Sequence, residues 1–567
     1  MVVEETENHA QRTKQKNMAM EQAIRTFKSQ KIPVLEPGET EYRQAIATSN
    51  LLFRFSRPDC VVQPRNAAHV QSIIREAKAR SIRVTIKCNG HSYAGHSTAF
   101  SGISLDLRGM KNASLDMRNM MVTMDAGCQW GDVYEKLIIG NHDGYIINGG
   151  RCPTVGVSGF TLGAGLGPFT RSFGMGADTL AEATVVTADG SLVTVGESDP
   201  PASDKGRLFW ALRGAGGGNF GVVVEMKMHV QKLRNLQGMV VAGRYQWFPK
   251  GGITDDVMKT MNAFYATPWP NKLTIDTTWI CDLRQTSNEG GVRFNVSFDG
   301  TKSEYDRLIT KHITTSPDLQ TQLKRRVLPE KSTRFLYETL VAQWLEEAER
   351  AYPTNKTYEL YSSFVFSNNS SPIAEITSAI RELMTTFRAD FKGEQVNFLV
   401  TWIHSGGKAS EPSPTKTAFF WREAVFHAYV TVEWVDKWME RDMRRFLAGV
   451  KRRLRPFSLG GGEAAFVNFP DRDFPQKTHE RAYFGDNKEE LRKVKGIWDP
   501  DGFFRFVQGV RRPGDPEEDS EEGGGEDEDR TDRLASEQWG RRWTHYKAED
   551  LEEDFADLAD LGLDEHE

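Results

Sequence analysis

Hydrophobic and polar residues alternate in short segments between residues 51 and 234. Strand-like alternation is found at 61–64, 82–87, 103–107, 121–125 and 222–230. One predicted helix has Asn66 as its N-cap and four apolar residues at helical spacing, Val70, Ile73, Ile74 and Ala77. A second helix is expected over 130–139, and strands at 183–187 and 192–195 form a hairpin around Asp189-Gly190. This mixture predicts an α+β domain over 51–234.

The region 235–457 has longer alternating segments that are rich in aromatic residues. Strands are predicted there at 273–280, 292–298, 361–366, 396–403 and 426–434. Helical patterns occupy 373–387 and 435–454. Residues 235–457 are therefore expected to form a second domain, in which helices cover an antiparallel sheet.

The two ends of the chain are patterned differently from its middle. Residues 1–50 are polar and predict a loose segment with a short helix near 19–29, whereas 458–512 returns to short motifs rich in Gly, Asn and aromatic residues. Residues 513–567 are acidic and of low complexity, which predicts a largely disordered tail. Within that tail, the stretch 551–563 has apolar residues on one helical face and could fold on a protein partner.

The formal net charge of −6 conceals an uneven distribution. Residues 513–567 hold 22 acidic and 5 basic residues, which leaves 67 basic and 56 acidic residues in 1–512. No apolar run approaches the roughly 18 residues of a membrane helix, and the first thirty residues lack the apolar core of a secretion signal. The basic helix near 437–455 is interpreted as a solvated face rather than a nucleic-acid surface. A cytoplasmic protein that binds neither membrane nor nucleic acid is expected.

Cysteine and glycine are distributed in opposite ways. Five scattered cysteines predict neither a disulfide framework nor a metal site. By contrast, 19 of the 50 glycines lie between residues 140 and 221. Hairpin turns explain some of them, and close approach of the backbone to a ligand is the favoured interpretation of the rest. The segment 216–221 matches GxGxxG, but a helical segment precedes it and a strand follows, the wrong order for a Rossmann site.

Two glycine-containing loops each carry a nucleophilic side chain. The loop 87–97 follows a predicted strand, contains His91 and has the small residues from which backbone N–H groups can cradle an anion. The loop 149–159 contains Cys152. Taken alone, His91 is equally an ordinary hydrogen-bonded loop histidine, and Cys152 a small buried apolar residue.

In combination these motifs resemble the flavin-linked oxidases with a VAO/PCMH-type FAD-binding domain, in the berberine-bridge-enzyme-like branch. The matching motifs, in chain order, are Gly90-His91-Ser92-Tyr93, Cys152-Pro153-Thr154-Val155-Gly156, the glycines of 163–167, Asp178, Ala188-Asp189-Gly190, 209–221, 466–469, 483–487 and 491–508. The resemblance covers residues 50–512. It implies a two-domain VAO/PCMH-type α+β fold: an FAD-binding domain at 51–234, an antiparallel-sheet substrate domain at 235–457, and a segment 458–512 that returns to the FAD domain.

The resemblance also implies a cofactor and the residues that hold it. FAD is expected to be bicovalent, with His91 bonded to the flavin 8α-methyl group and Cys152 to flavin C6. The other implied cofactor-binding residues are Gly90, Ser92, Gly95, Val155, Gly156, Val157, Gly159, Gly163, Gly165, Asp178, Gly216, Gly218, Asn219, Gly221, Asn468 and Asn487. Val155 matches the small residue through which the family admits dioxygen, which implies an oxidase.

The residue that accepts the substrate's proton departs from the family's pattern. Both tyrosines of the family's YxNY motif are phenylalanines here, Phe466 and Phe469, which cannot exchange a proton. His427 and Tyr429 lie two residues apart on a predicted strand and share a face, and histidine titrates near neutrality. Whether His427 is a base or a packed strand residue stays open, while Tyr93 matches an active-site tyrosine of the branch. The candidate catalytic residues are Tyr93, His427 and Tyr429.

The sequence thus predicts an FAD-dependent oxidase that transfers hydride from a small organic substrate to flavin, with O2 as acceptor and H2O2 as product. A natural-product-like substrate is expected, for alcohol oxidation, dehydrogenation or oxidative cyclisation in secondary metabolism. Two alternatives stay open: a carbohydrate or hydroxy-acid oxidase of the same fold, and a non-catalytic flavoprotein that acts through its acidic tail.

Overall fold

The structure is a computed structural model that describes residues 2–48, 50–284, 290–338, 341, 357–474 and 478–516, with side chains from residue 14 onwards. Its helices and mainly antiparallel sheets make the fold α+β, as expected; within the smaller sheet of the first domain, two strand pairs are parallel. From residue 517 the acidic tail lies outside the described residues, and so does the predicted helix at 551–563.

The N-terminal segment is more ordered than its polar pattern predicts. Helix α1 spans Val2–Ser29, rather than the short stretch 19–29. Three residues on one side of its last turns, Met20, Ala23 and Phe27, are buried in the core of the first domain. A two-residue strand β1 (Val34–Leu35) then pairs antiparallel with β2 (Cys60–Val62), and helix α2 spans Thr40–Ile46. The part of this segment from Met20 to Ile46 is therefore packed onto the first domain instead of lying loosely beside it.

The first domain contains two sheets. The smaller has the strand order β1-β2-β4-β3, with β3 at Val84–Lys87 and β4 at Ile103–Asp106. The larger has the order β5-β6-β10-β8-β9, with β7 also paired to β10. Its strands are Ala113–Asp116 (β5), Met121–Asp125 (β6), Tyr145–Ile147 (β7), Leu180–Val186 (β8), Leu192–Gly196 (β9) and Val222–Lys232 (β10). The helices are Ala67–Ala79 (α3), Trp130–Ile139 (α4), Val157–Leu162 (α5), Thr170–Phe173 (α6) and Asp204–Ala211 (α7).

Local signals in the sequence account for several of these boundaries. The Asn66 side chain accepts a hydrogen bond from the His69 N–H at 2.9 Å, which caps α3 as predicted. Gly190 has a φ of +76° in the turn between β8 and β9, a backbone conformation that glycine adopts without strain. Helix α7 precedes the 216–221 glycine segment and β10 follows it, so the order of elements is the non-Rossmann one predicted.

The second domain is a seven-stranded antiparallel sheet with the order β14-β11-β13-β12-β16-β17-β15. Its strands are Met239–Trp247 (β11), Leu273–Asp282 (β12), Gly291–Phe298 (β13), Val327–Lys331 (β14), Tyr358–Phe366 (β15), Val396–His404 (β16) and Phe426–Trp434 (β17). Its helices are Asp255–Ala266 (α8), Lys302–His312 (α9), Pro317–Arg326 (α10), Ser370–Asp390 (α11) and Glu440–Leu454 (α12). One face of the sheet is packed against helices to form a second core, and the other face is turned towards the first domain.

The segment after residue 457 packs back onto the first domain. Helices α13 (His479–Phe484) and α14 (Lys488–Trp498) contribute Tyr483, Leu491 and Val494 to the core that also contains α3 and β10. The buried Lys495 ammonium donates to the Asp499 carboxylate at 2.7 Å and to the Asn219 carbonyl at 2.6 Å. These bonds join the C-terminal segment to the glycine segment 216–221, on which the candidate site depends.

Candidate active site

Two loops of the first domain bring His91 and Cys152 to a single hydroxyl group. Thr154 is fully buried, and its Oγ1 lies 3.2 Å from His91 Nε2 and 3.3 Å from Cys152 Sγ. The His91 loop leaves the C-terminal end of β3, and the Cys152 turn lies between β7 and α5. Residues 61 positions apart in the chain thus become neighbours on one hydrogen-bonded bridge. Gly90, whose φ is +76°, and Ser92 flank His91 in the same loop.

The predicted glycines divide into two groups by what surrounds them. At Gly95, Gly156, Gly163, Gly165 and Gly221, a β-carbon would come within 1.9 to 2.6 Å of other protein atoms. Their small size is therefore needed for packing of the protein against itself, and the approach of their backbone to a ligand stays a prediction. At Gly159, by contrast, nothing lies within 4 Å of that position, and at Gly218 the nearest atom is 3.8 Å away. Gly216 is intermediate, with a Val467 methyl at 3.2 Å.

Several features of these loops fit a bound FAD. The side-chain oxygens of Ser97 and Thr161 are buried without a hydrogen-bond partner, one in the His91 loop and one in α5 beside the Cys152 turn. An unsatisfied buried hydroxyl is costly, so a polar group is expected to reach both. The open positions at Gly159 and Gly218 leave room for one. Val157 begins α5 directly after the Cys152 turn and is itself buried in the core.

The side chains of four polar residues predicted to bind the cofactor form hydrogen bonds within the protein. The Asp178 carboxylate forms two 2.7 Å bonds with the Arg422 guanidinium. The Asn219 amide bonds the Ala215 carbonyl and the Val510 N–H, the Asn468 amide donates to the Phe160 carbonyl, and the Asn487 amide donates to carbonyls of 414–418. These bonds show that all four side chains stabilise the surrounding segments. Their contact with the cofactor stays a prediction.

The sheet of the second domain presents a polar row opposite these loops. The register of β12, β16, β17 and β15 aligns Thr278, Thr401, Tyr429 and Ser363 side by side. Alternation places these side chains on the face that the helices do not cover. The Thr278 and Thr401 hydroxyls are 3.1 Å apart. Tyr429 is thus the aromatic member of a row of hydroxyl groups.

Tyr93 joins this row to the His91 loop. Its ring stacks on Tyr361 of β15 with the centroids 3.9 Å apart, and lies 5.7 Å from the Tyr429 ring and 5.8 Å from the Phe469 ring. Burial raises the pKa of both Tyr93 and Tyr429. A hydrogen bond between the two phenols raises the pKa of Tyr93 further. At Tyr429, the bonds with Thr401 and Tyr93 both lower the pKa and so oppose the effect of burial. The phenol of Tyr429 is therefore the better stabilised of the two in its ionised form.

His427 shares the sheet face with Tyr429, as the alternation predicted, but its surroundings are apolar. It is fully buried, its ring lies 4.9 Å from Phe466 and 5.6 Å from Phe419, and both ring nitrogens lack a hydrogen-bond partner. Burial, followed by the charge of Arg422, lowers the pKa of His427 to about 3. A histidine that ordinarily titrates near neutrality is here held neutral, which weakens it as a base.

Three contributors to the site were not singled out in the sequence. Thr154 lies inside the cysteine motif, and its hydroxyl was the feature from which a polar role could have been predicted. Tyr361 lies on a predicted strand, but only the register of that strand determines that it contacts Tyr93. The third is an ion pair between Arg151 and the buried Asp276 of β12. It ties the Cys152 turn to the second domain, a contact between distant segments that no local pattern contains.

Comparisons with known proteins agree with this architecture. Residues 58–196 match a family model described as an FAD binding domain, and residues 465–511 match one described as berberine and berberine like. The uncharacterised FAD-linked oxidoreductase YgaK of Bacillus subtilis is 26% identical over 485 residues, which cover 84% of this chain and 96% of that protein. The tetrahydroberberine oxidase of Argemone mexicana is 24% identical over 512 residues, covering 84% of this chain and 88% of that enzyme.

A solved structure shares the fold over most of its length. The glucooligosaccharide oxidase of Acremonium strictum, described as revealing a novel flavinylation, superposes with a TM-score of 0.71 at 18% identity. The superposition covers 86% of this chain and 98% of that protein, and it establishes the fold alone. Across the described ranges, no helix combines the length and apolar character needed to cross a bilayer.

Proposed function

We infer that this chain, an FAD-linked oxidoreductase of the berberine-bridge-enzyme-like branch, is an oxidase of a small organic molecule. We propose that it removes hydride from a substrate C–H bond, with O2 as the final acceptor and H2O2 as the product. The observation that carries this proposal is the convergence of His91 and Cys152 on Thr154. Tyr93, two residues after His91, lies 5.7 Å from the Tyr429 ring of the hydroxyl row. A nucleophilic nitrogen and a sulfur held together in this way suit double attachment of one planar cofactor.

FAD is proposed to be bound through both residues. When bound, FAD supplies the hydride acceptor that no amino acid side chain provides. His91 and Cys152 would hold its isoalloxazine ring from two sides, and the buried hydroxyls of Ser97 and Thr161 would gain polar partners. The 18% identical glucooligosaccharide oxidase, with its reported flavinylation, is in keeping with covalent attachment.

Tyr429 is proposed to take the proton that the substrate loses. Hydride removal from a carbon next to oxygen or nitrogen requires loss of a proton from that heteroatom, and a positioned base accelerates it. The Thr401 and Tyr93 hydroxyls hydrogen-bond the Tyr429 oxygen, and the Arg293 charge also favours its ionised form. No comparable hydrogen bonds stabilise a charged form of His427, because its ring packs against Phe419 and Phe466.

The use of dioxygen is proposed from Val155. This small side chain follows the Cys152 turn, and its carbonyl accepts a hydrogen bond from the Trp130 N–H at 3.2 Å, so the position is fixed by backbone structure. A short apolar side chain beside the cofactor leaves a passage for a small apolar gas. A bulkier residue there would favour another electron acceptor.

The substrate is proposed to be an aromatic or alicyclic natural-product-like alcohol or amine. The rings of Tyr93, Tyr361, Tyr429 and Phe469 line the candidate site, and aromatic walls stack favourably on planar or cyclic substrates. The hydroxyl row on the facing sheet also suits a carbohydrate or hydroxy acid, which stays the alternative.

The proposal is tested by measuring flavin that survives denaturation and peroxide that forms with substrate. We expect flavin fluorescence to remain with the unfolded wild-type chain, to persist in part in His91→Ala and in Cys152→Ala, and to be absent from the double variant. A panel of aromatic alcohols, cyclic amines and sugars then compares peroxide release. A wild-type chain that loses all flavin on unfolding would refute double attachment, and a flavin-loaded chain that makes no peroxide with any donor would refute the oxidase.

A further inference from the structure

A row of acidic side chains crosses the sheet at one end of the candidate site. Strand register aligns Asp282 of β12, Asn397 of β16, Glu433 of β17 and Glu359 of β15 as direct neighbours. We call these four residues the acid row. It lies on the same face as the hydroxyl row that contains Tyr429, because the two rows are separated by four residues along each strand. Sequence patterning had given no reason to single out these residues.

The acid row places three carboxylates on neighbouring strands, and the charges of Glu359 and Asp282 act on Glu433. The Arg284 guanidinium pairs with two of these carboxylates, Asp282 and Glu433. The Arg284 guanidinium forms two hydrogen bonds to Asp282, at 2.9 and 3.1 Å, and lies 3.6 Å from Glu433. Burial, followed by the charge of Glu359, raises the pKa of Glu433 to about 7. One more positive charge would therefore be favourable beside Glu359 and Glu433.

Asn397 supplies an independent sign of a missing ligand. Its amide nitrogen donates to Glu433 at 2.7 Å, so the amide group lies among the carboxylates. Its amide oxygen is buried without a hydrogen-bond partner, and the residue as a whole is only 3% exposed. A buried acceptor without a donor costs roughly 1–3 kcal/mol. A ligand with N–H groups would satisfy this oxygen and the carboxylates together.

The acid row is connected to the reacting end of the site through Tyr361. The Tyr361 hydroxyl donates to Glu359, and its ring stacks on Tyr93. Four residues of strand separate Glu433 from Tyr429, which corresponds to about 13 Å at 3.3 Å per residue. The side chains of Asp282 and Glu433 keep 11% and 21% of their surface exposed, so the row is accessible from solvent.

We propose that the acid row binds a protonated amine at the end of the substrate that is distant from the flavin. The proposal rests on the oxidase function inferred above and narrows its substrate class to elongated molecules with a cationic group about 13 Å from the oxidised carbon. The ammonium N–H groups would donate to Glu359, Glu433 and the Asn397 oxygen. Tyr361 and Tyr93 would cover the apolar stretch between the two ends.

The test compares two ligands that differ only in their charged end, phenyloctylamine and phenyloctanol. Binding to the flavin-loaded full-length enzyme is followed by the change in flavin absorbance. We expect the amine to bind about tenfold to a hundredfold more tightly than the alcohol, because hydrogen bonds to charged groups are the stronger ones. Glu359→Gln and Glu433→Gln together should abolish that preference, and added salt should weaken it in the wild type.

Glu182→Gln is the matched control, because it removes a carboxylate that pairs with Lys227 on the first domain, far from the acid row. The control should keep the amine preference. Equal binding of amine and alcohol by the wild type, or a preference that survives in the double variant, would overturn the proposal. Flavin content is measured on every sample, so a chain without flavin counts against the oxidase function, whereas a loaded enzyme without amine preference counts against the acid row alone.

Discussion

At the scale of single residues, Thr154 is the side chain on which the two proposed attachment points depend. A hydroxyl has one proton to donate and can accept others, so its bonds to His91 Nε2 and Cys152 Sγ are coupled. When Nε2–H donates to Thr154, the hydroxyl proton is available to stabilise a Cys152 thiolate, and Nδ1 carries the lone pair of the imidazole. The Thr154 hydroxyl is thus placed to influence the protonation of both residues.

Replacement of Thr154 by Val is expected to slow covalent flavin attachment by about tenfold to a hundredfold, because the shape is kept while the coupled hydrogen bonds are lost. Attachment is measured as flavin fluorescence of the denatured chain over time after FAD is added. Thr154→Ser keeps the hydroxyl and should restore most of the rate. Attachment by Thr154→Val at the wild-type rate would show that the hydroxyl has no part in it.

The pH dependence of turnover distinguishes the two candidate bases. Because burial raises the pKa of Tyr429, only a small ionised fraction exists at neutral pH, and kcat/KM should rise about tenfold per pH unit through the neutral range. A His427 base, with a pKa of about 3, would instead give a flat profile above about pH 5. Tyr429→Phe should lower turnover by about 10²- to 10⁴-fold, and His427→Leu should leave the slope intact. A flat wild-type profile would exclude Tyr429.

The residue scale is also where sequence reasoning was least complete. Motifs located the neighbourhoods of His91, Cys152 and Tyr93. They did not reveal that the side chains of Asp178, Asn219 and Asn487 bond to protein. A motif records which residues occur together, whereas the direction of each side chain depends on the segments packed around it. The Asp178 carboxylate, for example, accepts a hydrogen bond from Arg422, which lies 244 residues later in the chain.

At the scale of secondary-structure elements, the ion pair of Asp178 and Arg422 connects the turn before β8 to the segment before β17. The side chains are 14% and 2% exposed, and two charge-assisted bonds join them. The same carboxylate also caps the short helical turn at Gly176–Thr179 through a 2.8 Å bond from the Met175 N–H. The pair therefore holds a loop of the first domain against the second.

Asp178→Ala is expected to lower the free energy of unfolding by about 3–5 kcal/mol, because it leaves a buried guanidinium without its partner. Asp255→Ala is the matched control: Asp255 pairs with Arg381 at 2.6 Å but is 94% exposed, so its loss should cost less than about 1 kcal/mol. Both are measured by urea unfolding followed by intrinsic fluorescence. Equal losses in the two variants would contradict the structural role given to Asp178.

Elements were predicted well wherever a periodic pattern coincided with a buried face. The strand Met121–Asp125 and the helix Trp130–Ile139 have the predicted bounds, and β17 occupies 426–434 as expected. The length of helix α1 was underestimated because its first half is polar in sequence. The apolar residues that anchor it come only near its end, at Met20, Ala23 and Phe27. Its packing partners are distant in sequence, so periodicity alone did not reveal the full length.

At the scale of the whole molecule, the charge imbalance separates a basic body from an acidic extension. The Arg512 guanidinium, at the predicted boundary, pairs with Asp515 at 3.0 Å. Residues 1–516 hold 67 basic and 57 acidic residues. The acidic extension predicted for 513–567 lies outside every motif of the candidate site.

Deletion of residues 517–567 is expected to leave flavin content and turnover unchanged while strengthening adsorption to heparin, because a net positive body then has no acidic segment beside it. Adsorption should weaken as salt is added. The comparison uses the full chain and the truncated chain on the same column, with peroxide release measured on both. Loss of turnover on truncation would show that the tail contributes to catalysis.

The sequence by itself determined the fold class, the succession of two domains and the loops that carry His91 and Cys152, since each depends on local periodicity or on an ordered set of motifs. Only the tertiary structure decided which side chains meet. The bridge through Thr154, the stack of Tyr361 on Tyr93 and the acid row all depend on strand register and loop packing. Register is set by contacts between segments hundreds of residues apart, and a shift of one residue would turn every one of these side chains to the opposite face.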